Sequence, residues 1–396
     1  MKNSNLKKSL TLILFLISFI LMPNILKASS PDFRINPYII MGERGQLYLK
    51  FKSIQNNDLS LQAEAILNDN KMRKFNLNVN KLGPITIIPI EDIECSSNVQ
   101  VNLKQKVKSL NSSLLFSKKF PTLPCNKFDE LNFIFISDTQ NSTGHLKSIS
   151  KIIGKFHEKK SLHFILHGGD FVKTGGSQKM WKNYFEMQRN YSNIPLIPVI
   201  GNHEYYGDFQ NKPLSSNYKK YMGNPSKSDK GYSLLSFQHF NLIRLNSNFD
   251  RLKEIEQEEQ KSWLKEALEQ SKQSSKKTII SFHHSPFSSV SSKSSFHVKK
   301  LRNEFVPLFE EYNKNIILVL TGHSHLYERS IKNNIHYLVS GPAGGIRAIS
   351  LRKNPYSVFK KPFRSTFTHF KIENDIMELR TYSRKGKLID FLTLYL

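Results

Sequence analysis

Cysteine is scarce in this sequence. The 396 residues contain only two, Cys95 and Cys125, and both lie in the first half of the chain. Two thiols cannot supply a four-cysteine structural zinc site, which excludes that class of metal site. In an oxidising compartment such a pair usually forms a disulfide, and the alternative is two separate buried thiols. We expect a Cys95–Cys125 disulfide if the chain is exported.

Acidic residues are few relative to basic ones. The chain has 32 Asp and Glu against 58 Lys and Arg, a formal net charge of +26. In a Lys-, Asn- and Ser-rich chain the simplest interpretation is a solvated surface. The functional interpretation is attraction of anionic substrates, or of nucleic acid or lipid head groups. Charge alone does not choose between them.

No apolar run reaches the length of a membrane-spanning helix, which takes about 20 residues. The run from Leu10 to Met22 is preceded by three lysines and followed by Pro23 and by small residues from Ala28. Basic, apolar and small residues in this order predict a secretory signal over 1–28, and an uncleaved anchor is the alternative. We expect an exported protein, secreted, periplasmic or at the cell surface, with no membrane span after cleavage.

The pattern of apolar residues divides the chain into two predicted domains. Residues 31–127 alternate apolar and polar side chains in short runs, which predicts an all-β sandwich of about seven strands, like fibronectin or immunoglobulin domains. Residues 128–396 alternate strand-like runs with four helical patterns, which predicts a layered α/β domain. The fourth pattern runs from Leu301 to Tyr312, and Pro307 should kink it.

Five apolar runs in the second half each end in side chains that can bind metal. These side chains are Asp138, Asp170, Asn202 with His203, His283 with His284, and His323 with His325. In an open α/β sheet, sites form beyond the carboxyl ends of the strands. Carboxylate, amide and imidazole groups together suit borderline divalent or trivalent metals. One such ending is usually a turn residue; five in order indicate a metal centre.

The motifs at these endings resemble those of a known family. Ser137-Asp138-Thr139-Gln140, Gly169-Asp170, Gly201-Asn202-His203-Glu204, His284-Ser285-Pro286 and the run from Gly322 to Arg329 look like the ordered motifs of calcineurin-like metallophosphoesterases. The GHxHxYER form and the preceding β-sandwich resemble the purple acid phosphatases in particular. The resemblance implies an αββα layered domain that hydrolyses phosphate esters with two metal ions, which would activate a bound water for attack.

The resemblance also implies roles for individual residues. The expected metal ligands are Asp138 and His325 for the first ion, Asn202, His284 and His323 for the second, and Asp170 as the bridge. His203 would face the substrate phosphate and assist the leaving group. His283 is not placed by the motif. His297, in the loop after the His284 motif, is a further candidate for substrate contact.

The sequence departs from the purple enzymes at one ligand. Their ferric ion is bound by a Tyr three residues after the bridging Asp, and here that position is Lys173. No Asp-x-His motif compensates, because position 140 is Gln. The first metal site therefore lacks one protein ligand, which water or Gln140 could replace, and the metals could be Fe, Mn or Zn.

Three functions are compatible with these residues. The first is hydrolysis of phosphate monoesters such as nucleotides or sugar phosphates. The second is a phosphodiesterase or nuclease, for which nucleic acid would be a substrate. The third, of a different class, is a surface binding protein with a degenerate phosphatase domain. Because six of seven expected protein ligands are present, we favour an enzyme.

Overall fold

The computed structural model describes residues 33–42, 45–53, 60–66, 72–76, 85–90, 93–106, 113–140, 143–208, 214–224, 229–290 and 295–396. The predicted signal segment, 1–28, lies outside these residues. No helix within them is long and apolar enough to cross a bilayer.

The strands of the described residues are β1 (Phe33–Met41), β2 (Leu47–Ser53), β3 (Ser60–Ile66), β4 (Met72–Asn76), β5 (Thr86–Ile90), β6 (Asn98–Lys106), β7 (Ser113–Pro121), β8 (Leu131–Ile136), β9 (Phe164–His167), β10 (Leu196–Pro198), β11 (Ser233–Ser236), β12 (Phe240–Arg244), β13 (Lys277–Ser281), β14 (Ile316–Thr321), β15 (Tyr327–Lys332), β16 (Ile335–Ser340), β17 (Ser357–Lys361), β18 (Thr366–Glu373), β19 (Ile376–Ser383) and β20 (Leu388–Tyr395). The helices are α1 (Thr143–Lys160), α2 (Gln178–Met187), α3 (Ser216–Tyr221), α4 (Glu254–Gln273), α5 (Phe296–Lys300) and α6 (Val306–Glu311).

Two large sheets form the centre of the molecule. One has nine strands in the order β20-β19-β18-β8-β9-β10-β1-β2-β5, and the other has seven in the order β11-β12-β13-β14-β16-β15-β17. Their facing side chains form one apolar core, while α1 and α2 pack on the outside of the first sheet and α4 and α6 on the outside of the second. The predicted αββα layering is confirmed.

The N-terminal region is all-β, as predicted, and its seven strands divide between two sheets. Strands β3, β4, β6 and β7 form a four-stranded sheet of their own, whereas β1, β2 and β5 extend the nine-stranded sheet. Strand β1 pairs in parallel with β10, with Ile40 opposite Leu196. Residues 37–41 are buried without alternation, a pattern typical of an internal strand. The sheet therefore runs across the predicted domain boundary at 127/128.

The predicted interruption by Pro307 takes the form of a π-helical turn. Residues Leu301–Phe305 are π-helical and join α5 to α6. Proline has no N–H to donate, and its ring collides with the carbonyl four residues back. A wider turn immediately before the proline relieves both conflicts.

The two cysteines form the expected disulfide. Cys95 and Cys125 are joined with an S–S distance of 2.10 Å and close a loop of sequence separation 30. The bond ties the segment before β6 to the segment after β7. A cross-link that closes a loop of this length lowers the conformational entropy of the unfolded chain. In the loop-entropy model this raises the free energy of unfolding by about 3–4 kcal/mol.

Candidate metal centre

The topology brings the predicted strand endings to one place. Strands β8, β9 and β10 are parallel neighbours in the nine-stranded sheet, and β13 and β14 are parallel neighbours in the facing sheet. Their carboxyl ends carry Asp138, Asp170, Asn202, His283 and the pair His323 and His325. These side chains form two overlapping groups, Asp170–His283–His323 and Asp138–Asp170–His325, with ligand atoms within 4.8 Å of one another in each group.

Four of these residues have a left-handed backbone. Asp138, Asp170, His323 and His325 have φ values of 53°, 58°, 66° and 50°. Side-chain-bearing residues adopt this conformation rarely and at a cost, and such strain concentrates at functional sites. Gly169 has φ 95°, and a Cβ there would lie 2.7 Å from the His283 ring. Only glycine therefore allows the β9 end to approach this histidine.

The first group of potential metal ligands surrounds Asn202. Its Oδ1 lies 3.1 Å from both His283 Nε2 and His323 Nδ1, and the two ring nitrogens are 3.3 Å apart. His283 Nε2 also lies 3.2 Å from Asp170 Oδ2. His283 Nδ1 donates to the Gly168 carbonyl at 2.8 Å, which directs Nε2 toward the other three groups.

The structure brings His283 into this group in place of the predicted His284. The His284 ring turns away from Asp170, and its Nδ1 lies 2.9 Å from Ser247 Oγ. Its ring stacks on that of His297 and is tilted against that of His323, with centroids 4.2 and 4.4 Å away. Successive side chains at a strand end point to opposite sides, so only one of two adjacent histidines can face the cluster.

The second group surrounds Asp138. His325 Nε2 lies 3.5 Å from Asp138 Oδ1, and His325 Nδ1 lies 3.0 Å from the Gly345 carbonyl, which fixes the ring. Gln140 Nε2 lies 2.9 Å from Asp170 Oδ2 and 3.4 Å from His325 Nε2. Gln140 Oε1 is buried without a hydrogen-bond partner in the described residues. The oxygen and nitrogen of an amide are told apart only by their contacts. If the Gln140 amide is rotated by half a turn, its oxygen faces the ligand group.

Lys173 lies outside both groups. Its side chain is exposed, and its carbonyl lies 2.7 Å from His203 Nδ1. The cation at the position of the missing tyrosine therefore does not oppose a metal ion within the cluster.

His203 is held at the rim of the cluster. Its backbone N–H donates to Asp170 Oδ1 at 3.0 Å, and its Nδ1 donates to the Lys173 carbonyl. The remaining nitrogen, Nε2, lies 3.2 Å from Arg347 Nη2 and 3.9 Å from Asp170 Oδ2. The ring therefore directs a nitrogen toward the bridging carboxylate and a guanidinium together.

His297 contacts the site only through another histidine. It stacks on His284, and its Nε2 lies 3.5 Å from Asp250 Oδ1. Its Nδ1 is buried without a partner in the described part of the chain. Its contact with substrate remains a prediction.

Two glutamates of the motifs have roles that sequence reasoning missed. The Glu204 carboxylate accepts backbone N–H bonds from Asp170, Phe171 and Gly201 at 2.8–2.9 Å, which joins the β9 and β10 endings. Glu328 accepts from the backbone N–H and the hydroxyl of Ser289 and so fixes the loop after β13. Both glutamates lie inside the motifs quoted above, and this position was the sequence signal that could have indicated a role at the site.

The charges of the cluster depend on one another. Burial alone would raise the pKa of Asp170, but the imidazoles of His283, His203 and His323 outweigh it and hold the pKa well below its usual value. Burial opposes protonation of His283 as well, yet the carboxylate of Asp170 raises the pKa of His283 to about 9. Burial and then Asp170 raise the pKa of Glu204 to about 8. Asp170 therefore favours a positive charge on the imidazole of His283, and a cation bound between these groups would meet the same preference.

Comparison with known proteins agrees with this geometry. Residues 131–327 match the family model of calcineurin-like phosphoesterases. Purple acid phosphatase PPD1 from yellow lupin (Lupinus luteus) seeds superposes with a TM-score of 0.73 at 15% identity, covering 91% of this chain and 74% of that one. GAP50, the anchor in the inner membrane complex of Plasmodium, superposes with a TM-score of 0.53 at 20% identity, covering 67% of this chain and 89% of that one. A search of curated protein sequences finds no match.

The superpositions establish the fold, and the family match covers all five strand endings that carry the cluster. The chain therefore belongs, through this domain, to the calcineurin-like metallophosphoesterases and is a hydrolase of phosphate esters.

Proposed function

We propose that this protein is an exported enzyme that holds two divalent metal ions and hydrolyses phosphate monoesters. The observation that carries the proposal is the pair of overlapping ligand groups that share Asp170. Both groups approach the same oxygen, Asp170 Oδ2, which lies 3.2 Å from His283 Nε2 and 2.9 Å from Gln140 Nε2. A carboxylate oxygen has two lone pairs, so two ions could share it.

The distances between donor atoms fit metal ions. Ligand atoms about 2.1 Å from one ion lie about 3.0–3.4 Å apart in octahedral or tetrahedral geometry. The group formed by Asn202, His283, His323 and Asp170 has separations of 3.1–3.3 Å. The group formed by Asp138, His325, Gln140 and Asp170 has separations of 2.9–3.5 Å. When bound, two such ions would supply charge for the phosphoryl oxygens and acidify water.

His203 is suited to handle a proton at the leaving group. Its Nδ1 is committed to the Lys173 carbonyl, so Nε2 is the atom that can give or take a proton. The neighbouring Arg347 supports binding of the substrate anion, because a guanidinium can donate two bonds to phosphate.

A cavity beside the cluster supports a small anionic substrate. It has a volume of about 640 Å³ and is lined by Gln140, Val172, Lys173, Met187 and Arg347 among others. The two cationic side chains among the lining residues, Lys173 and Arg347, favour the dianionic monoester over the singly charged diester.

Export rests on two observations. The N-terminal segment has the order of charges and apolar residues of a secretory signal, and the disulfide requires an oxidising compartment to persist.

The alternative is a binding protein of similar fold. The likeness to GAP50, an anchor in Plasmodium, favours this alternative, because that protein shares the fold. The buried ligand set argues against it here.

A panel of esters tests the proposal. We expect the metal-free protein, once reconstituted with Mn²⁺, Zn²⁺ or Fe²⁺ singly, to hydrolyse p-nitrophenyl phosphate at least about tenfold faster than bis(p-nitrophenyl) phosphate, since differential charge contacts of about 1.4 kcal/mol give that ratio. A reversed ratio would make the enzyme a phosphodiesterase. A protein that binds no metal and hydrolyses neither ester would support the binding alternative.

The absence of a tyrosinate predicts the colour. Lys173 replaces the tyrosine that stabilises ferric iron and gives purple acid phosphatases their absorption, and Gln140 is a neutral donor. We expect iron-loaded, active protein to be colourless, and activity lost to chelator to return with a divalent metal alone. A strong tyrosinate–iron band in the visible spectrum would show that another tyrosine binds the metal.

A further inference from the structure

A second cavity, of about 640 Å³, lies next to the one described above. Five cations line it: Lys361, Arg364, Arg384, Lys385 and Lys387. Ile346 lines both cavities, and the next residue, Arg347, contacts His203. The two cavities therefore adjoin at Ile346, beside the arginine that contacts His203.

The sheet places this basic cavity on the same edge as the metal ligands. Strands β18 and β19 are antiparallel, with Thr366 opposite Ser383, so Arg364 and Arg384 emerge from the same end of the pair. Strand β18 also pairs antiparallel with β8, with Thr368 opposite Phe135. The beginning of β18 consequently lies beside the end of β8, which leads into Asp138.

The positive charge around this cavity has few carboxylates beside it in the part of the chain that the structure describes. No Asp or Glu occurs from 341 to 370, while that segment contains Arg347, Arg352, Lys353, Lys360, Lys361 and Arg364. None of the five cavity cations forms an ion pair with a carboxylate of the described residues. Charges held together without counter-ions repel one another, and a bound anion relieves that repulsion.

We propose that the basic cavity is a subsite for a second phosphate group, so that the natural substrate is a small soluble molecule with several phosphates. This inference rests on the proposed function, because the first phosphate must occupy the metal cluster. Ile346 lines both cavities, and Arg347 beside it lines the first. Ser383 also lines the cavity, and its hydroxyl accepts from the backbone N–H groups of Lys385 and Lys387, which fixes the turn that carries these two cations.

The shape of the surface favours a compact ligand over a membrane. A lipid surface needs a projecting basic face with apolar side chains that insert. Here the cations line a concave volume that adjoins the cavity beside the metal cluster, and the exposed apolar side chains of Ile346, Phe363 and Leu388 line that same volume. A short polyphosphorylated molecule fits that volume and can present one phosphate to each end.

The test compares ligands with one and several phosphates. Linear tripolyphosphate and orthophosphate are titrated as inhibitors of p-nitrophenyl phosphate hydrolysis, and tripolyphosphate binding is also measured directly by calorimetry on the metal-free protein. The variant Arg364→Gln/Lys385→Gln/Lys387→Gln removes three exposed charges of the cavity. The control Lys118→Gln/Lys265→Gln/Lys314→Gln removes three exposed charges elsewhere and alters the net charge equally. Chelation of metal by tripolyphosphate affects all three proteins alike.

We expect wild type and control to bind tripolyphosphate at least about tenfold more tightly than orthophosphate. The affinity of the cavity variant for tripolyphosphate should fall by about tenfold, because each of the three screened surface charges contributes about a factor of two. Inhibition by orthophosphate should be unchanged in the variant. Equal affinities of the cavity variant and the control for tripolyphosphate would overturn the subsite. Binding of the protein to phosphoinositide vesicles would also overturn it if tripolyphosphate does not displace the vesicles. Absence of esterase activity together with cavity-dependent calorimetric binding would refute the proposed function and leave the anion site standing.

Discussion

Replacing Asp170 by Asn is expected to lower kcat/KM for p-nitrophenyl phosphate by about 10³-fold or more, which corresponds to about 4 kcal/mol of transition-state stabilisation. Asp170 is the residue common to both ligand groups. Its amide counterpart keeps the size of the side chain but loses the charge that would hold two cations together. We expect the variant to retain fewer than two metal ions per chain after gel filtration.

Asn is preferred to Ala for this experiment because of the backbone. Asp170 has φ 58°, a conformation that Asn tolerates far better than Ala. Asp375→Asn is the matched control, because Asp375 is exposed and its ion pair with Lys127 is at the surface. Near-normal turnover of Asp170→Asn with normal metal content would refute the bridging role.

The adjacent histidines give the second large effect. His283→Ala should lower kcat/KM by about 10³-fold and release one metal ion, because His283 Nε2 faces Asn202, His323 and Asp170. His284→Ala should retain both ions, and its kcat/KM should fall by no more than about tenfold, since Nδ1 of His284 contacts Ser247 in the wild type.

These two variants control each other. Both histidines are fully buried, so both truncations create a similar cavity and should lower the unfolding temperature similarly. Metal content and activity, measured beside thermal unfolding, separate a ligand from a packing residue. Loss of metal in His284→Ala but not in His283→Ala would restore the assignment made from the sequence motif.

The strand endings could be predicted because their signal is local. Each apolar run stops at a polar residue, and the order of the runs identified the sheet edge at which Asp138 and Asp170 meet. The choice between His283 and His284 is different, because β13 is buried on both faces apart from its first residue. Without alternation along the strand, the sequence carries no mark of which side chain faces the cluster.

Long-range pairing escaped the sequence for a similar reason. Strand β1 finds β10 through backbone hydrogen bonds, which have no side-chain signature. The basic cavity is assembled from the segments before β18 and after β19, and only the pairing of these strands makes their charges neighbours. Composition showed an excess of lysine and arginine but not where it accumulates.

The pairing of β1 with β10 also affects the order in which the protein can fold. Ile40 is synthesised long before its partner Leu196, and parallel pairing over such a separation closes a large loop. Until β10 emerges, one edge of the β1–β2 pair has no neighbour and can pair with other chains. The sheet that contains β1 and β2 is completed only when the strand leading to Asn202 arrives, so this part of the N-terminal region depends on a strand that also carries a residue of the metal centre.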